Sequence, residues 1–237
     1  MTPVESRIAE NYDGILKRIE AACLRSGRPG SSVKLIAVTK YAEIDWMHAL
    51  LSLGQSDLGE SRPQQLVERA PLFHNDDVEW HLIGHLQRNK VRPVLPLASS
   101  IHSIDTFRLL TRVDHLTMEL GLRTHVLLEV NVSGETAKDG FATDDLLANW
   151  NSVLAMKNVH IDGLMTMARH SDNPEEARPT FQALRTLRDE LNGMSPALLR
   201  LSQLSMGMSG DFEVAIEEGA TVVRIGSKLF EGLKRPA

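Results

Sequence analysis

Eight short apolar runs separated by amphipathic stretches predict an α/β fold, a single (β/α)8 TIM barrel. Three observations carry that expectation. Strand-like runs recur along the 237 residues, with a helix-like stretch after most of them. The run Leu35-Ile36-Ala37-Val38 is apolar without alternation, as in a strand covered on both faces. No linker or low-complexity segment interrupts the rhythm, so one domain is expected over 1–237.

The elements follow in order. Residues 4–25 read as an N-terminal helix, apolar at Ile8, Tyr12, Ile15, Leu16, Ile19 and Cys23, and Gly27 with Pro29 breaks it. Strand one is predicted over 33–38, strand two over 55–59, strand three over 79–83 and strand four over 100–104. Helices are expected over 44–53, 63–70, 89–97 and from 107 to 120, the last capped by Asp105 or Thr106. Strands five to eight fall at 125–130, 159–165, 201–205 and 221–225, with helices at 143–156, 174–191 and 211–218 and a short terminal one.

Composition excludes several classes. Hydrophobic residues make 42% and charged residues 24%, ordinary for a soluble chain. No apolar run nears the roughly 20 residues that cross a bilayer, and the first residues lack a signal-peptide pattern. The single Cys23 excludes an internal disulfide framework, and a cytoplasmic setting is expected. A net charge of −5 argues against phosphate-backbone binding, and Arg88, Lys90 and Arg92 lack an accompanying aromatic set, so no nucleic-acid partner is expected.

Active sites of such barrels lie at the C-terminal strand ends, which selects Lys40, Glu60, Gly84, Asp105, Asn131, Met165, Ser205 and Gly226. Lys40 shares a strand face with Ile36 and Val38. Near an apolar core its amine would be favoured neutral and able to form a Schiff base, whereas a lysine reaching solvent is the plainer reading. After strands seven and eight come Ser205-Met206-Gly207-Met208-Ser209-Gly210-Asp211 and Arg224-Ile225-Gly226-Ser227-Lys228. Each could be a capped glycine turn; together they make a phosphate cradle of N–H groups and the Ser209 and Ser227 hydroxyls. Arg224 shares the inward face with Val222, facing either a carboxylate such as Glu129 or Asp211 or a ring nitrogen of a ligand.

Lys40 in Val38-Thr39-Lys40, Gly59-Glu60, the run from His81 to Lys90, Asn131 to Gly140, Gly163-Leu164-Met165-Thr166-Met167, Ser205 to Ser209 and Arg224 to Ser227 recur in an order that resembles the pyridoxal 5′-phosphate (PLP) homeostasis proteins, also called the YggS or PROSC family. The resemblance covers residues 5–232. It implies a barrel similar to the alanine racemase N-terminal domain (fold-type III), with PLP bound as a Schiff base on Lys40. It implies Ser209, Gly226 and Ser227 as phosphate ligands, with Met206 and Gly207 in the same loop. It also implies Arg224 opposite the pyridine nitrogen, Asn131 and Met165 at strand ends around the cofactor, and His81 as a packing or ring-contact residue. Two departures stand out: Ser61-Arg62 replaces the usual asparagine and aromatic, leaving any ring contact of that asparagine open, and Ala42 replaces a frequent second lysine. Lys138 matches a family lysine, either an auxiliary amine for transfer or a solvated loop residue.

The implied function is a cytoplasmic carrier that buffers PLP and delivers it to apo-enzymes, not an enzyme. A racemase-like enzyme is the alternative, and a lysine-dependent aldolase a more distant one. Racemisation needs acid/base groups on both faces of the substrate, and the second, β-rich racemase domain is not expected in a chain that stops shortly after strand eight. A monomer is expected for the same reason. His81 and His85 are four apart but flank strand-like residues without the glutamate of a metalloprotease helix, so no metal is assigned.

Overall fold

Eight parallel strands close into a ring: β1 Lys34–Val38, β2 Asp57–Glu60, β3 Glu79–Leu82, β4 Ser100–Ile104, β5 Thr124–Asn131, β6 Val159–Met165, β7 Gln203–Ser205 and β8 Val222–Ile225. Neighbours in sequence are neighbours in the sheet, and pairing of β8 with β1 completes the barrel. A two-residue strand, Phe141–Ala142, adds to the end of β5. The computed structural model describes residues 1–74, 77–133, 139–196 and 199–233; Lys138 lies outside them.

Strand alternation divides the core in two. Leu35, Ala37, Leu128, Leu164, Val223 and Ile225 join the large cluster between sheet and helices. Ile36, Ile83, Leu127, Met165 and Val222 are equally buried but stand outside that cluster, in the lumen. The expectation that Arg224 shares an inward face with Val222 therefore matches the fold.

Helix α1 Pro3–Arg25 starts at a capping box, in which Glu5 N donates to Thr2 Oγ1 at 3.2 Å and Thr2 N to Glu5 Oε2 at 2.7 Å. It buries Ile8, Ile15, Ile19 and Cys23, and Arg18 forks onto Glu213 at 3.1 and 2.7 Å. Thr106, rather than Asp105, caps the helix Phe107–Leu120, through its Oγ1 and Leu109 N.

Four helix expectations are not met as stated, the one over 89–97 being a 3-10 turn, Arg88–Lys90, and a short helix, Val91–Val94. The helix predicted over 143–156 is two, Thr143–Ala148 and Trp150–Leu154. Asn149 breaks it because its side chain and its own N–H both bind Asp145 O, a competition typical of asparagine. The helix predicted from 174 begins as a 3-10 turn, Pro174–Ala177, before Arg178–Met194, because Pro179 has no N–H to continue a ladder. No terminal helix follows β8 within the described residues; 227–232 form turns. Among the described residues no helix is long and apolar enough to cross a membrane.

Candidate functional site

Lys40 is placed by a clamped turn. β1 ends at Val38, and Thr39 is buried with its hydroxyl donating to Glu60 Oε1 at 2.7 Å. The Arg69 guanidinium donates to Thr39 O, Ala42 O and Glu60 Oε1, at 2.8, 2.8 and 2.7 Å, tying both sides of the turn to β2. Because the chain has already turned, Lys40 is exposed and its Nζ lies 5.1 Å above the Tyr41 ring. The expectation of a desolvated amine beside an apolar core is therefore corrected: this lysine stands at the rim, open to solvent.

Across the mouth, the loops after β7 and β8 are stitched together. Arg224 N donates to Gly207 O at 3.0 Å, Met208 N to Asp211 Oδ1 at 2.6 Å, and Gly226 N to Ser209 Oγ at 3.3 Å. Gly207 has φ +93°, and a Cβ there would lie 2.6 Å from that of Ala215, so only glycine fits the turn. One cavity of about 790 Å³ is lined by Lys40, Tyr41, Ser209, Arg224, Gly226 and Ser227, with Ser61, Arg169, His170 and Asp211 on its walls.

Five residues singled out in the sequence thus share one cavity: Lys40, Ser209, Arg224, Gly226 and Ser227. The other five do not line it. Met206 is buried in the helix–sheet core, and Gly207 serves the turn. Met165 is buried in the lumen, and Asn131 ends β5, where it accepts from Ser133 Oγ at 3.0 Å. His81 lines a different cavity at the N-terminal ends of the strands, so a ring contact at the mouth is corrected to a place deep in the lumen. The physical reason is what its ring binds: Asp57, the first residue of β2, and His102, which turn it away from the mouth.

His81 belongs to a buried polar chain. Arg224, 3% exposed, donates through Nη1 to Ser205 Oγ at 2.7 Å and through Nη2 to Thr166 O at 3.0 Å. Ser205 Oγ lies 2.9 Å from His102 Nδ1, His102 Nε2 lies 3.2 Å from His81 Nδ1, and His81 Nε2 lies 2.9 Å from Asp57 Oδ1. Lys34 donates to the same Asp57 oxygen at 2.7 Å. Arginine only donates and a carboxylate only accepts, so the two ends of this chain are fixed as donor at Arg224 and acceptor at Asp57. Burial above all, with the nearby Arg224 and Lys34 charges acting in the same direction, holds His102 well below the usual histidine range. Burial would raise Asp57, but its bonds to His81 and Lys34 outweigh that and lower it.

The floor carries unusual electrostatics. Burial pulls the Arg224 guanidinium down to about 10, opposed by Glu129 and Asp211, so it stays charged at neutral pH. The carboxylates suggested as its partners act through space, while its hydrogen bonds go to Ser205 and Thr166. Glu129 is pushed up to about 7, by burial first and then by Asp105. His102 was not singled out in the sequence, Thr166 stood there only within a matching motif, and Glu129 only as one possible partner of Arg224. Only a known strand register would have shown that these positions converge.

Residues 12–233 match the family model described as alanine racemase, N-terminal domain. A pyridoxal phosphate homeostasis protein of Aquifex aeolicus is 40% identical over 221 residues, 93% of this chain and 96% of that protein. The chain belongs to this family. Another member, from Pseudomonas aeruginosa, is 36% identical over 95% of both chains. Among solved structures, PipY of Synechococcus elongatus, described with PLP bound, superposes with a TM-score of 0.79 at 37% identity, covering 91% of this chain and 99% of PipY. Alanine racemase of Corynebacterium glutamicum shares the fold, with a TM-score of 0.74 at 14% identity over 97% of this chain and 62% of the enzyme. The barrel of this pyridoxal phosphate homeostasis family member is thus the alanine racemase N-terminal fold.

Proposed function

We propose that the mouth holds pyridoxal 5′-phosphate and that the chain stores and hands on this cofactor without turning over amino acids. The observation that carries the reading is the convergence of Lys40, Arg224 and the 209 and 226–227 turns on one cavity of about 790 Å³. The donor set fits the cofactor: an amine, a guanidinium, two serine hydroxyls and glycine N–H groups face an aldehyde, a ring nitrogen and a phosphate. PipY, similar along nearly its whole length, is described with PLP bound.

When bound, the cofactor supplies an aldehyde carbon that condenses reversibly with an amine and releases water. Lys40 offers that amine from an exposed rim, where cofactor can reach it and leave. The Gly226 N–H and the Ser209 and Ser227 hydroxyls would take the phosphate. Ser209 and Gly226 already bond each other, which keeps these donors aimed at one place. Arg224, fixed by Ser205 and Thr166, would donate to the pyridine nitrogen and keep it free of a proton. An unprotonated ring withdraws electrons weakly, which suits storage rather than chemistry.

The placement of tyrosines favours storage over racemisation. Tyr12 bonds Gln55, which lines the cavity at the opposite end, while Tyr41 sits against Lys40 on the same wall. Neither offers an acid/base group across the cofactor from Lys40. Apo-enzymes that require PLP are the partners this role needs, and the cytoplasm is its setting. The test is threefold: borohydride reduction should fix a pyridoxyl mass on the Lys40 peptide, single amino acid enantiomers should remain unracemised, and an apo-enzyme should regain activity from the loaded protein. Absence of the adduct sinks the binding site; rapid racemisation sinks the carrier role.

A further inference from the structure

At the end of the barrel opposite Lys40, the starts of β5 and β6 bring His125, His160 and Asp162 together. His125 and His160 are register partners on these adjacent strands, and their ring centroids lie 4.9 Å apart. Asp162 aims one carboxylate oxygen at each ring: Oδ2 is 2.9 Å from Nδ1 of His125, and Oδ1 is 2.6 Å from Nδ1 of His160. One nitrogen or oxygen donor from each residue lies within 4.8 Å of the others.

The sheet departs from regularity to place Asp162 there. Ile161 pairs with Val126 but Gly163 with Leu127, so Asp162 is an inserted residue, a bulge. Bulges re-aim side chains and recur beside functional sites. This one is held on its far side. Asp162 O accepts from Ser202 N at 2.8 Å, and a Cβ on Gly163 would fall 1.9 Å from Gln203 O, so β6 and β7 press together directly beyond it.

Charge supplies a separate argument. The Asp162 side chain is only 12% exposed, and among the described residues its close basic contacts are these two imidazoles, not any lysine or arginine. A largely buried carboxylate is costly unless a cation or strong donors compensate it. Two imidazoles and a carboxylate are the donors that borderline divalent ions select, at bond lengths of about 2.0–2.2 Å. Tetrahedral placement at those lengths puts donors about 3.3 Å apart, so the two Asp162–imidazole contacts open by less than 1 Å and donors now within 4.8 Å of one another draw together.

We propose that His125, His160 and Asp162 form a second binding site on this chain, for a first-row divalent metal ion such as Zn²⁺. Three protein ligands leave the fourth position open, and His125 and Asp162 line the cavity of about 840 Å³ at this end of the barrel. Water or a small anion entering from that cavity completes the coordination. The bound ion ties β5 to β6 at the bulge. This site shares no residue with the mouth and stands whether or not the mouth holds PLP. It also departs from the sequence reading, which assigned no metal after weighing only His81 and His85.

The test uses the full chain without an affinity tag, freed of metal by a chelator and titrated with Zn²⁺ against a chromophoric competitor. One site per chain is expected, with a raised thermal midpoint in the presence of Zn²⁺. Asp162→Asn keeps side-chain shape, and His160→Gln changes a half-exposed residue, so both variants should fold. Each is expected to weaken binding at least tenfold and to abolish the thermal shift. His85→Ala dismantles the other histidine–carboxylate group, with Asp105 and Asp139, and should leave binding intact. Zinc affinity unchanged in both Asp162→Asn and His160→Gln, loss of the site in His85→Ala, or no stoichiometric binding by the wild type would each overturn the proposal.

Discussion

Arg224 donates to Ser205 Oγ at 2.7 Å, and this contact anchors the charged floor of the mouth to a buried histidine pair. Ser205→Ala would leave a guanidinium N–H and His102 Nδ1 without their shared partner. A loss of about 1–3 kcal/mol is expected, the usual cost of stranding buried polar groups. Urea unfolding measures it directly; an unmoved midpoint would show that the chain of bonds contributes nothing to stability.

Arg224→Gln keeps some hydrogen bonding to Ser205 while removing the charge. If Arg224 faces the pyridine nitrogen, the variant should retain PLP at least tenfold less well, about 1.4 kcal/mol, and absorb at a changed wavelength. Equal retention with an identical spectrum would place the cofactor ring elsewhere.

Lys40 is exposed, so Lys40→Ala should change stability by no more than about 0.5 kcal/mol. The same variant should lose the borohydride-fixed adduct completely. Adduct formation that survives the substitution would assign another amine.

Glu129 ties stability to pH. Its folded value, about 7, lies above the ordinary 4.5, so between these values the folded state holds a proton that the unfolded chain has released. The Glu129 contribution is therefore full below about pH 4.5 and is lost as pH rises through 7. Glu129→Gln removes the decline and should be about 1–3 kcal/mol more stable than wild type at pH 8, allowing for its lost attraction to Arg224, with little difference near pH 5. His102 acts in the other direction. Its folded value is depressed, so its contribution is lost as pH falls below about 6.5. Chemical unfolding of wild type and variant at pH 5 and pH 8 separates the two, and parallel curves would refute the assignment to Glu129.

Gly207→Ala forces a Cβ into Ala215 at a positive φ and should lower stability by about 2 kcal/mol or more. A variant as stable as wild type would mean that the loop after β7 can rearrange freely.

Periodicity alone yielded the eight strands and most helices of this chain, because burial on both faces leaves unbroken apolar runs such as Leu35–Val38 and amphipathic helices leave their own spacing. It failed where a single residue decides, as at Asn149 and Pro179, whose side-chain chemistry breaks a helix that the apolar pattern would continue. The motif order also identified Lys40, Ser209, Arg224, Gly226 and Ser227, since lysine at a strand end and glycine–serine turns after the last two strands are local signatures. Tertiary structure alone decided that these five meet in one cavity while His81 does not. It alone joined Arg224 to Asp57 through Ser205, His102 and His81, and set His125 beside Asp162. Those contacts depend on strand register and on a bulge of one residue, and neither leaves a trace in hydrophobic periodicity.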